Sequence, residues 1–136
     1  MATMILPALR QFGLLDLGVV VGDVVHRDYT LRPATLADSY RAAAAVPVPA
    51  NVADDQAARV AYQMAIDDAQ ILCQLEALGS LSPVPAVEAL AEAMDPDDMA
   101  ILRQAAAELK KKLRQSRHSS PPIDAPNTSS SAPASA

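Results

Sequence analysis

Few side chains in this 136-residue sequence are of types that do chemistry, and those few are scattered. Asp67 and Asp68 are adjacent carboxylates, but neighbouring helix positions point about 100° apart, so the pair is not arranged for acid–base hydrolysis. Each is expected at one edge of an apolar helix stripe. There it would face solvent, fix the register of a partner, or pair with Arg41 or Arg59. Cys73 is the single cysteine, and no histidine or basic residue near it in sequence would lower its pKa.

The two histidines, His26 and His118, are far from each other and from any candidate nucleophile, and both are expected to be solvated. Ser39 has no G-x-S-x-G setting, and the four glycines match neither a phosphate loop nor a dinucleotide fingerprint. One cysteine and two distant histidines cannot complete a zinc shell. The sequence therefore predicts no catalytic residue, no metal site and no cofactor.

The overall charge disfavours several classes of partner. The net charge is −5 and the isoelectric point about 4.8, whereas nucleic-acid binding requires a basic surface. The basic run 110–117 contains no aromatic residue for base stacking, and it suits the negative end of a helix dipole. No apolar run approaches the ~18 residues of a membrane span. A lone cysteine cannot form an internal disulfide, which indicates a reducing compartment. We therefore expect a cytoplasmic protein that binds neither nucleic acid nor membrane.

Two strands are predicted first along the chain, at 14–21 and 24–31, around a Gly22-Asp23 turn typical of a tight hairpin. In the second strand, alternation predicts that His26 lies on a mostly polar face and Tyr29 on a mostly apolar one. Such a hairpin needs support from helices or from another copy, and its open edges favour homo-oligomers through strand pairing.

Helices are predicted over the rest of the folded region. The first spans 36–45, capped by Thr35 with Asp38 near its exposed amides. The second spans 54–78, and its apolar stripe has helical spacing. A third opens at Ser82-Pro83, and a fourth follows an Asp95 cap with Pro96 in the first helical position. The residues of the stripe on the second helix are Ala57, Val60, Met64, Ile71, Leu75 and Leu78.

Together these elements predict an α+β fold in which an N-terminal hairpin packs on a small bundle of three to four helices. The expected organisation is an N-terminal arm at 1–13, a single domain at 14–115 and a disordered tail at 116–136. The tail is rich in Ser, Pro, Thr and Ala, which cannot bury enough apolar surface to order it.

Three segments carry a resemblance to a known family. Residues 29–38 read Tyr-Thr-Leu-Arg-Pro-Ala-Thr-Leu-Ala-Asp, a strand that leads into a capped helix. Residues 71–79 form a Leu-rich segment that ends in glycine, and residues 95–102 open a helix with Asp-Pro-Asp-Asp. In order and spacing, over about residues 14–115, the chain resembles the tail assembly chaperones of Mu-like and related tailed phages.

The resemblance implies a non-enzymatic protein that binds the helical tape-measure protein and keeps it soluble while the tail is built. It also implies action in the host cell cytoplasm and absence from the mature virion. Alanines would let a partner helix approach closely, and methionines would repack against varied partners. The expected partner-binding residues are Ala57, Ala61, Met64, Asp68, Met94 and Met99.

Two other classes of function remain open from the sequence. A small regulatory or antitoxin-like binding protein could use the hairpin to dimerise and the tail to wrap a target. A minor structural tail protein would be retained in the virion.

Overall fold

The computed structural model describes residues 9–118, which form a three-stranded antiparallel sheet and four helices. The α+β class and the N-terminal hairpin are therefore confirmed. In chain order the elements are β1 (Gln11–Val21), β2 (Val24–Leu31), α1 (Leu36–Ala45), α2 (Gln56–Cys73), β3 (Leu75–Leu78), α3 (Val87–Ala93) and α4 (Pro96–His118).

The hairpin turns where the sequence predicts, with Gly22 at φ 62° between β1 and β2. Positive φ at this position is readily adopted only by residues such as glycine. β1 begins at Gln11, so three residues of the predicted arm belong to the strand. α4 likewise continues three residues into the predicted tail and ends at His118. The remainder of that tail, 119–136, lies outside the described residues.

The predicted second helix is wrong beyond Cys73, where the chain turns and forms β3. Leu75 and Leu78 do not continue the helix stripe; they pair with Leu31 and Tyr29 on β2. A register irregularity next to Glu76 places both leucines toward the core three residues apart. That spacing imitates a helix, which explains the error.

β3 also changes the expectation for the edges of the hairpin. The sheet order is β1-β2-β3, and β3 pairs with the outer edge of β2 at Tyr29, Thr30 and Leu31. Only β1 and the four-residue β3 are edge strands in the described sheet. β3 therefore covers this edge of the hairpin at residues 29–31 and leaves residues 24–27 outside its pairing.

The core lies between the inner face of the sheet and the helices, with α4 packed along β1. α4 contributes its apolar face, as predicted, and α3 contributes Leu90. The predicted start of α3 at Ser82 is wrong, since that helix begins at Val87. The fully buried large apolar side chains are Leu15, Leu31, Leu78, Leu90, Leu102, Leu109 and Val19.

His26 is buried at 5% exposure, in contrast to the expectation that it would be solvated. β2 does not keep strict alternation beside the irregular segment of β1, and both His26 and Tyr29 face the core. The backbone N–H of Ser80 donates to His26 Nδ1 at 3.3 Å. The imidazole therefore accepts a hydrogen bond from the backbone just after β3, and this structural role accounts for its burial.

Candidate interaction surface

The six predicted partner-binding residues are not all on one surface. Ala57, Ala61 and Met64 are exposed on the N-terminal half of α2. Met94 is half-buried after α3 and packs against the core, whereas Met99 is 6% exposed and belongs to the core itself. The burial of Met99 removes it from any surface that a partner could contact in this conformation.

The exposed residues on α2 lie beside its core-facing side, whose buried residues are Ala69 and Leu72. At about 100° per residue, positions 57, 60, 61, 64, 68 and 71 fall within one face of the helix. Ile71 packs against the core, but Val60 and Met64 are 52% and 55% exposed. We call Ala57, Val60, Ala61 and Met64 the α2 stripe. It is an exposed apolar face centred about 100° around α2 from the buried Ala69 and Leu72.

Asp68 lies where the α2 stripe meets the packed part of the helix. Its carboxylate receives two hydrogen bonds from the Arg103 guanidinium, each at 2.8 Å. The sequence-based pairing with Arg41 or Arg59 is therefore wrong, because Arg103 on α4 is the partner. Its neighbour Asp67 accepts a hydrogen bond from Gln63. The Asp68–Arg103 pair ties α2 to α4 and sets a polar boundary at the inner end of the stripe.

The outer end of α2 is also held in place. Asp55 caps the helix, and its carboxylate accepts hydrogen bonds from the backbone N–H groups of Ala57 and Ala58. The Arg59 side chain donates to the carbonyl of Ala53, at 3.0 Å, in the preceding loop. A helix anchored at both ends presents its stripe without a further cost for ordering it on binding.

Asp38 connects α1 to the end of α2 through a cluster that the sequence predicted only in part. Thr35 and Asp38 form the expected capping box. The Asp38 carboxylate is also paired with the guanidinium groups of Arg32 and Arg41. Hydrogen bonding from Arg32, followed by that from Thr35 and Arg41, holds the pKa of Asp38 well below its usual range. Arg32 in turn donates to the carbonyl of Cys73, at 2.9 Å.

Asp98 is a structural residue that the sequence analysis did not identify. Its side chain is fully buried, and it accepts hydrogen bonds from the backbone N–H groups of Asp16, Leu17 and Gly18 at 2.7, 3.1 and 2.9 Å. These amides belong to the irregular segment of β1, where the pairing with β2 is interrupted. A carboxylate in the first turn of α4 therefore satisfies three donors that the sheet leaves unpaired. The only sequence signal was its place in the Asp-Pro-Asp-Asp run.

The residues considered for chemistry do not assemble into a reactive site. Burial raises the pKa of the Cys73 thiol, which opposes formation of a nucleophilic thiolate. Within residues 9–118, no group of three or more His, Cys, Asp or Glu side chains could hold a metal ion. In the same range, no helix is long and apolar enough to cross a membrane.

A basic groove of about 650 Å³ lies at the C-terminal end of α4. Lys110, Arg114 and Arg117 line one side, and Gln70 and Gln74 of the α2 end line the other. All three cations belong to the last turns of α4, where they compensate the negative end of the helix dipole.

No family model matches this chain, and no curated protein or solved structure matches it at a significant level. Its function is therefore inferred from the arrangement of its own residues.

Proposed function

We propose that this protein is a non-enzymatic tail assembly chaperone that binds the tape-measure protein of a tailed phage and keeps it soluble. The observation that carries the proposal is the α2 stripe, an apolar helix face that lies beside the buried side of α2 and is exposed to solvent. On this proposal the protein acts in the host cytoplasm and is left out of the mature virion.

The shape of the α2 stripe suits a helical ligand. Ala57 and Ala61 have small side chains, so another helix can approach the backbone of α2 closely. Val60 and Met64 lie along one side of that shallow track, and the thioether of Met64 adapts to differently shaped neighbours. A stripe of about two helical turns buries little area, so each contact is weak and can be released when tube subunits polymerise around the tape measure.

Co-expression with the tape-measure protein of the same phage tests the proposal. The candidate partner is a long, helix-rich reading frame immediately downstream of this gene. The measured quantity is the soluble fraction of the tape-measure protein, with and without this chain. We expect the parent to raise that fraction and Met64→Lys to lose most of the effect, because a lysine ammonium would replace an apolar contact.

Gln63→Lys is the matched control, since it introduces the same charge at the adjacent exposed position, about 100° away around α2. It is expected to retain the activity of the parent. Equal solubilisation by Met64→Lys and Gln63→Lys would refute binding through the stripe. A tape-measure protein that stays insoluble beside the parent would refute the proposed function.

The basic groove favours a second candidate function, a small regulatory protein that binds nucleic acid. Lys110, Arg114 and Arg117 present positive charge within a protein whose net charge is −5. A gel-shift titration with duplex DNA separates the two candidates, because the chaperone is expected to give no shift. A shift that disappears in Arg114→Glu would favour the regulatory protein.

A further inference from the structure

We infer that the basic groove at the end of α4 is a docking site for an acidic amphipathic helix of another protein. The groove lies at the opposite end of α2 from the α2 stripe, since Gln70 and Gln74 line it. The inference therefore does not depend on the proposed function, and the two are tested by different measurements.

The three cations of the groove form one row along α4. Lys110, Arg114 and Arg117 are separated by four and three positions, so they fall within about 60° of one another around the helix. The rise between successive members is about 6 Å and then about 4.5 Å, and the whole row is about 10 Å long. Carboxylates spaced by four and three positions on a second helix have the same rise, so the two rows can face each other.

These cations have no anionic partner in the part of the chain that the structure describes. Each ion pair within residues 9–118 uses an arginine outside the groove, and none includes Lys110, Arg114 or Arg117. The negative end of a helix dipole is equivalent to about half a charge, so three positive charges exceed what is needed to compensate it. The surplus is available to an anionic ligand.

The rest of the groove adds no negative charge and suits the apolar side of a peptide. Its described lining contains no Asp or Glu, although the chain has 16 such residues. Ala106 and Leu113 offer apolar surface, and the half-buried Gln70 offers an amide that can both donate and accept hydrogen bonds. A ligand that combines carboxylates with apolar side chains therefore finds complementary groups across the groove.

Nucleic acid fits the same groove less well. A row about 10 Å long spans about three phosphates of one strand, and the described lining has no Phe, Tyr or Trp on which a base could stack. The net charge of −5 also opposes the approach of a long polyanion. The terminal segments of the chain lack the required charge as well, because residues 1–8 contain no acidic side chain and residues 119–136 contain only Asp124. The ligand is therefore expected to come from another protein.

Fluorescence anisotropy with synthetic peptides tests the inference. The probe is a labelled helical peptide of Leu, Ala and Glu that carries glutamates four and three positions apart beside a leucine stripe. The reference peptide has glutamine in place of each glutamate. The full chain is expected to bind the glutamate peptide with a Kd below about 1 mM, and the glutamine peptide about tenfold more weakly, because three ion pairs are lost. Added salt is expected to weaken the glutamate complex more than the glutamine complex.

Lys110→Glu and Lys111→Glu are the matched variants, because adjacent exposed lysines of α4 undergo the same change and only Lys110 lines the groove. Lys110→Glu is expected to weaken binding of the glutamate peptide at least about fivefold, whereas Lys111→Glu should weaken it less than about twofold. Circular dichroism reports whether each variant is folded, and Arg114→Gln replaces Lys110→Glu if that variant is not.

Four results would overturn the inference. One is the absence of binding to the glutamate peptide below about 1 mM, and another is an equal Kd for the two peptides or for the two lysine variants. Tighter binding of labelled DNA than of the glutamate peptide would assign the groove to nucleic acid instead. A dimer of the parent in sedimentation equilibrium that Lys110→Glu dissociates would assign it to a second copy of this chain. None of these results bears on solubilisation of the tape-measure protein through the α2 stripe.

Discussion

Replacing Asp98 by asparagine is expected to destabilise the fold strongly, although the side chain keeps its size. In the parent one carboxylate oxygen accepts from Asp16 and Leu17, and the other accepts from Gly18. The asparagine oxygen can retain the first two hydrogen bonds, but without the negative charge that strengthens them. Its NH₂ group would face the N–H of Gly18, so a buried donor would be left without an acceptor.

The expected size of this effect follows from those contacts. A hydrogen bond to a charged group contributes about 1.5–3 kcal/mol, and an unsatisfied buried donor costs about 1–3 kcal/mol. The loss at Gly18 and the weakening at the other two amides together predict a decrease of about 3 kcal/mol in the free energy of unfolding. A domain of this size has about 5–15 kcal/mol in total, so the melting temperature should fall by about 10 °C or more.

Urea unfolding measures the stability change, and amide hydrogen exchange shows where it arises. The matched control is Asp97→Asn, which removes the same charge from an exposed position in the same first turn of α4. It should cost only about 0.3–1 kcal/mol through the helix dipole. In Asp98→Asn the amides of residues 16–18 should exchange faster than in the control. Equal urea midpoints for the two variants, with unchanged protection at 16–18, would refute this account of Asp98.

Three further outcomes are expected. Because the pKa of the Asp38 carboxyl is held well below its usual range, chiefly by Arg32, the ion pair stabilises the fold above about pH 4. That contribution is lost as the pH falls. Asp38→Asn should therefore be less stable than the parent at pH 7, and its urea midpoint should change less than that of the parent when the solution is acidified. Gly79→Ala should lower the melting temperature, because Gly79 has φ 57° and a Cβ there would overlap the imidazole of His26. Leu75→Asp should abolish the cooperative melting transition, because it places a carboxylate at a buried position of β3; a parental transition would exclude Leu75 from the core.

Local signals in the sequence were sufficient for several elements. Gly22-Asp23 predicted the hairpin turn, Thr35 with Asp38 predicted the start of α1, and Asp95 before Pro96 predicted the start of α4. In each case the residues that make the decisive contacts are close in sequence. The backbone groups that they satisfy are within a few positions of them, so tertiary packing is not required to recognise the pattern.

Two of the errors, the overlong second helix and the expected face of His26, share one physical cause, which is irregular strand pairing. An irregularity next to Glu76 gave Leu75 and Leu78 the spacing of a helix, and the interrupted pairing of β1 with β2 allowed both His26 and Tyr29 to face the core. A prediction from periodicity assumes that successive residues of a strand pair with successive residues of the neighbouring strand. A bulge breaks that assumption, and the sequence does not mark where it occurs.

The sequence by itself determined the α+β class, the hairpin and the starts of α1 and α4, because turn and cap chemistry acts over three or four residues. Only the tertiary structure decided which apolar residues are free to bind a partner. Met64 and Met99 have the same side chain and both lie on apolar helix faces, yet α2 extends past the core while α4 packs along the sheet. Burial depends on what lies opposite a side chain, and that neighbour comes from a distant part of the chain.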